Sequence, residues 1–121
     1  MTIERILKAA PPGTVIPKPA ATRPFRVKGV GRRRGERALI YTIPNHSDPK
    51  HPYEKGITAS EFATAYKRLT DFGELSHQWF RQHLPACATE GSCNFTTIGG
   101  LFQRLGVAAY ERRGVYRKVG H

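Results

Sequence analysis

A chain of 121 residues with a net charge of +11 and two cysteines holds enough sequence for one compact domain and too little for two ordinary ones. Two cysteines cannot build a disulfide scaffold. No run of about 18 apolar residues offers a membrane-spanning helix, and "MTIERILKAAPPGTVIP" lacks the apolar core of a signal peptide, so a cytoplasmic protein with no membrane partner is expected.

Residues 1–37 read as a basic, Pro/Arg-rich N-terminal arm. "AAPPGTVIPKPAATRP" holds five prolines and little to pack, and proline blocks both helix and central strand. An extended or flexible segment is the expectation. "RPFRVKGVGRRRGER" then supplies a cluster around Arg32, Arg33 and Arg34, which suits phosphates or a narrow minor groove. A membrane role would need interleaved large apolar residues, and only Phe25 is available.

From Ala38 to Ile43, "ALIYTI" is rich in β-branched and aromatic residues and predicts a strand, with Phe25–Val30 as a hairpin partner across Gly31–Glu36. "PNHSDPKHPYEKG" reads as loop, punctuated by Pro44, Pro49 and Pro52. Thr58 then has the position of an N-cap, with Glu61 as its capping-box partner and Ile57 and Phe62 at the staple positions. Phe62, Tyr66 and Leu69 form one apolar stripe, and Gly73 ends this first helix. The second helix is "SHQWFRQHL", capped by Ser76 and stopped by Pro85.

The third helix is "NFTTIGGLFQRLG", capped by Asn94 or Thr96 and ended by Gly106. Ile98, Leu101, Phe102 and Leu105 share one face, which leaves Thr96, Thr97, Gly100, Gln103 and Arg104 on the other. Adjacent glycines cost a helix about 1 kcal/mol each relative to alanine, so they need a reason. One reason is close approach of a nucleic-acid backbone to the Gly100 face. Another is close packing of a helix or of the N-terminal arm. A kink at the start of the helix is a third. Beyond Gly106, "VAAYERRGVYRKV" predicts strand, tight turn and strand, with flanks Val107–Tyr110 and Val115–Val119.

The expected fold class is therefore α+β: a small three-helix domain over residues 38–121, with one preceding strand and a C-terminal β-hairpin. Its order resembles the winged helix-turn-helix superfamily over about residues 38–119. That resemblance implies that the third helix enters the major groove and that a basic wing touches the backbone. Carried over, the groove-facing positions are Thr96, Thr97, Gly100, Gln103 and Arg104, and the wing positions are Arg112, Arg113, Arg117 and Lys118.

Charge points the same way. Residues 1–37 hold ten Lys/Arg and two acids, residues 38–110 hold six of each, and residues 111–121 hold four basic residues and Glu111. Positive charge segregated at both ends favours a polyanion. The expectation is a non-enzymatic nucleic-acid-binding protein, with duplex DNA preferred to RNA. The alternatives are RNA binding on the same surfaces, or a protein-interaction module docking through the third helix. A homodimer or a larger protein partner is compatible with either.

Chemistry is weakly signalled. His77, His83, Cys87 and Cys93 have the spacing H-x5-H-x3-C-x5-C, which lacks the tight pairs of structural zinc sites, so neither a metal nor another cofactor is expected. His46 and His51 in "HSDPKH" could serve as the acid and base of a ribonuclease, but no nucleophile motif or phosphate loop accompanies them.

Overall fold

The computed structural model describes residues 1–20 and 23–120. Helix α1 (Ile3–Ala9) starts at Thr2, whose hydroxyl accepts from the Arg5 N–H at 3.1 Å. Ile3 and Ile6 on its inner face are buried. Strands β1 (Arg26–Arg33) and β2 (Glu36–Ile43) form an antiparallel hairpin. Its two-residue turn, Arg34 and Gly35, has φ of 50° and 75°. Positive φ at both central positions is what a type I′ hairpin turn requires. Strand β3 (Tyr53–Thr58) completes the sheet β1-β2-β3.

Helix α2 (Ala59–Phe72) follows directly, with the Thr58/Glu61 capping box formed as its sequence requires. Gly73 ends it in the left-handed region at φ 81°. Next come strand β4 (Glu74–Ser76), helix α3 (His77–His83), helix α4 (Pro85–Glu90) and helix α5 (Cys93–Arg104). Strands β5 (Ala108–Arg112) and β6 (Val115–Lys118) close the chain in a second antiparallel sheet, ordered β4-β6-β5. A single core joins the parts: Ile3, Ile6 and Ile16 from the N-terminal segment, Leu39, Tyr41 and Ile57 from the first sheet, and Phe62, Leu69, Phe102 and Tyr116 beyond it.

This architecture corrects the expected fold class. The described residues form five helices and two three-stranded sheets, where three helices, one strand and a hairpin were expected. Strand β3 lies in what reads as loop, because Pro44, Pro49 and Pro52 obscure the short alternation that follows them. Pro85 does not simply stop a helix: it is the first residue of α4, where its missing N–H costs nothing. Strand β4 has three residues and is defined only by its pairing with β6.

Residues 1–37 also differ from a flexible arm in everything described of them. Gly13, Thr14 and Ile16 exchange backbone hydrogen bonds with Phe25 and Val27 at 2.7–3.0 Å, so this stretch runs antiparallel beside the start of β1. Prolines there shape an extended segment without preventing its side chains from packing.

Candidate nucleic-acid interface

Two groups of basic residues contrast in their ion pairs. At the β1–β2 turn, Arg34 donates to both Glu61 oxygens, Nε at 2.8 Å and Nη2 at 2.7 Å. Its Nη1 donates to Glu90 Oε1 at 2.6 Å, and Nη2 also reaches the Gly56 carbonyl at 2.9 Å. Arg33 Nε donates to Glu90 Oε2 at 3.0 Å. These two arginines therefore join the hairpin turn to the start of α2 and the end of α4. Their guanidinium groups are largely engaged within the protein, where the sequence-based expectation had them facing phosphates. Arg32 is exposed and spends one guanidinium nitrogen on the Gly35 carbonyl, at 2.8 Å.

The carboxylates at this junction stay ionised. Burial pushes the Glu61 and Glu90 pKa values up, but hydrogen bonds from Arg34, and from Arg33 at Glu90, outweigh it and hold both below the usual range.

The expected groove-facing surface of the third helix is largely internal. Thr97, Gly99 and Gly100 of α5 are buried. A Cβ on Gly100 would stand 2.2 Å from the Pro17 carbonyl oxygen and 2.8 Å from Ile16 Cγ2. A Cβ on Gly99 would stand 2.2 Å from Cε2 of the Tyr116 ring. The glycines thus admit the N-terminal segment on one side and an aromatic ring on the other. Close packing by the N-terminal segment was one of the reasons open in the sequence. Approach of nucleic acid to Gly100 and Thr97 is excluded by that packing. Gln103 and Arg104 are exposed at the far end of α5, where Arg104 Nε donates to the Ala9 carbonyl at 2.9 Å.

The second basic group surrounds a cleft of about 690 Å³ between α3, the start of α5 and the β5–β6 hairpin. The His77 N–H at the head of α3 donates to the Gly114 carbonyl in the hairpin turn at 2.8 Å, which fixes these elements to each other. Arg81 lines the cleft from α3 and Arg113 from the hairpin turn. Neither has an ion-pair partner among the described residues, and no Asp or Glu lines the cleft.

Its wall is aromatic. Phe95 and Tyr116 meet edge to face with centroids 5.5 Å apart, and Tyr110 and Tyr116 do so at 5.8 Å. Tyr110 keeps 40% of its surface exposed. Burial, and then the neighbouring Tyr110, push the Tyr116 hydroxyl up to about 12, so it stays protonated. Burial and the Arg81 charge lower the His77 pKa, so at neutral pH the charge lining the cleft comes from Arg81 and Arg113.

Thr96 is the one expected residue of α5 that reaches this cleft. Of the expected wing residues, Arg113 lines it and the other three do not. Arg112 is exposed and pairs with Glu111 at 2.6 Å. Arg117 is exposed on β6, opposite Glu74 of β4. Lys118 is half-buried, with its backbone N–H bonded to the Gly73 carbonyl at 2.7 Å. Arg81, Phe95, Tyr110 and Tyr116 were not singled out from the sequence as site residues, and His77 was weighed only as a metal ligand. The usable signal was the spacing in "YERRGVY", where two tyrosines and two arginines flank a tight turn.

Among the described residues, no three His, Cys, Asp or Glu side chains are grouped to hold a metal ion. Cys87 and Cys93 are free thiols, and burial raises the Cys87 pKa strongly. His51 and Asp48 meet at 2.7 Å in an exposed loop, away from the cleft. No helix of the described residues is long and apolar enough to cross a membrane. No family model, no curated protein and no solved structure matches this chain.

Proposed function

We propose that this chain is a non-enzymatic nucleic-acid-binding protein whose interface is the face formed by α3, the start of α5 and the β5–β6 hairpin. The observation that carries the proposal is the contrast between the two basic groups. Arg33 and Arg34 are consumed by Glu61 and Glu90, whereas Arg81 and Arg113 face an open cleft with no carboxylate. Arg117, exposed on β6 opposite Glu74, and half-buried Lys118 lie outside the cleft. Cations left without internal partners beside exposed aromatic surface are the features with which proteins hold a phosphate backbone.

The proposal does not rest on a winged helix-turn-helix fold, since β5 and β6 belong to a three-stranded sheet with β4 and α5 serves as core. DNA remains the preferred partner and RNA the alternative.

Fluorescence anisotropy with labelled duplex DNA, single-stranded DNA and hairpin RNA tests this directly. Binding that weakens at least tenfold on Arg81→Ala with Arg113→Ala, at unchanged melting temperature, is the expected result. Failure of all three nucleic acids to bind at low salt would sink the proposal. Incubation with RNA checks the absence of chemistry. Cleavage that disappears on His46→Ala with His51→Ala would make the protein a ribonuclease instead.

A further inference from the structure

A smooth duplex needs a basic surface but no cavity. This protein has a cavity of about 690 Å³ in the middle of its proposed interface, within the range of small-molecule sites. Its contents combine two chemistries. Phe95, Tyr110 and Tyr116 make a continuous aromatic wall, in which Tyr110 is the ring open to solvent. Arg81 and Arg113 bring guanidinium groups from two different elements. A flat aromatic body attached to an anion meets both at once, and a nucleotide is such a body.

Resting on the nucleic-acid reading above, we infer that the cleft accepts one unstacked nucleotide, its base against Tyr110 and its phosphate between Arg81 and Arg113. Unpaired positions, single strands or free nucleotides then bind where a fully paired duplex cannot insert. Base-on-aromatic stacking tolerates any base, because every base has a π face, so the site reads the unpaired state more than the sequence. The glycine pair supports this geometry from beneath. Gly99 lets the Tyr116 ring lie against α5, and Gly100 seats the Pro17 carbonyl two residues before Pro19, which lines the cleft.

The test uses the full chain and six probes: a blunt 20-base-pair duplex, the same duplex with one unpaired 2-aminopurine, a ten-nucleotide single strand, adenosine monophosphate, tripolyphosphate and a phosphotyrosyl peptide. The unpaired duplex and the single strand are expected to bind at least tenfold more tightly than the blunt duplex, with a change in 2-aminopurine fluorescence on binding. Tyr110→Ala should remove that preference, bringing the affinity for the unpaired duplex down to that for the blunt duplex. Tyr110 is 40% exposed but packs on Tyr116, so circular dichroism at the assay temperature checks that the variant is folded. Competition by adenosine monophosphate would mark the ligand as a free nucleotide, and its failure to compete would mark it as a nucleotide within a strand.

Equal affinity for blunt and unpaired duplexes would overturn the inference while leaving the nucleic-acid reading intact. So would tripolyphosphate competing as well as the nucleotide, since the cleft would then read charge alone. A phosphotyrosyl peptide binding more tightly than any oligonucleotide would overturn both, in favour of a protein partner. Absence of binding to every nucleic-acid probe would also overturn both.

Discussion

Arg34 makes four hydrogen bonds from a side chain only 21% exposed, and three of them are to carboxylates. Removing it leaves Glu61 and Glu90 partly buried with less compensation, and uncompensated buried charge is what makes a broken pair costly. Arg34→Ala should cost about 3 kcal/mol in urea unfolding, somewhat less than a fully buried pair because water still reaches the site. Arg34→Lys should recover little, since an ammonium cannot span two carboxylates in the guanidinium fork. A change under about 0.5 kcal/mol, the level of an ordinary surface substitution, would show that the junction is solvated decoration.

The same junction sets an acid limit. Glu61 and Glu90 have folded-state pKa values below those of the unfolded chain. Their contribution is therefore present above the unfolded value and is lost as pH falls through the folded value. Stability should drop below about pH 4.5, the carboxylates' ordinary range. A Glu61→Gln, Glu90→Gln chain should be less stable at pH 7 and lose less on acidification. Parallel stability curves for parent and variant would refute this.

At the scale of elements, the adjacent glycines separate two opposed effects. Alanine in an open helix would gain up to about 1 kcal/mol. Here the added methyl on Gly100 meets a backbone carbonyl, and that on Gly99 meets a buried ring, neither of which can swing aside. Overpacking of this kind costs about 1–3 kcal/mol, so both Gly→Ala changes should lower the melting temperature, despite the better propensity. Gly99→Ala should also displace Tyr116 toward the cleft and weaken ligand binding at temperatures where the fold persists. Stabilisation by either change would contradict the close packing of α5.

What the sequence revealed follows from the range of the signals. The capping box of α2, its Gly73 stop and the Ser76 cap of α3 are local, and each is formed as read. The hairpin of β1 and β2 also rests on nearby residues, although its strands run further into the turn than expected. By contrast, β4 exists only because β6 lies beside it, and no property of "ELS" announces that. The site was half legible. Arg113 and Thr96 were found through the hairpin and the third helix, whereas Arg81 and Phe95 reach the cleft through packing between elements distant in sequence. The outer face assigned to α5 failed for a similar reason, because periodicity cannot show that a second layer, here Ile16 and Pro17, covers it.

For the whole molecule, the N-terminal segment decides between two accounts of the excess charge. As an arm it would be dispensable and would add its cations to the interface. As part of the core it is required, and Ile3, Ile6 and Ile16 are each about 1% exposed or less. Losing three such side chains removes roughly 1.5–3 kcal/mol each, a large share of the 5–15 kcal/mol that stabilises a typical domain. Deleting residues 1–17 should therefore abolish or strongly broaden the cooperative thermal transition, as followed by circular dichroism. The salt dependence of binding by the intact chain makes the complementary measurement. Contacts by Arg81 and Arg113 alone give a slope of about −2 in log K against log salt, at roughly −0.9 per phosphate on B-DNA. Engagement of the N-terminal cations as well would steepen it toward about −7 or beyond. A steep slope together with a truncated chain that still melts cooperatively would restore the free arm. A shallow slope with loss of the transition places the N-terminal segment in the scaffold and the binding charge at the hairpin.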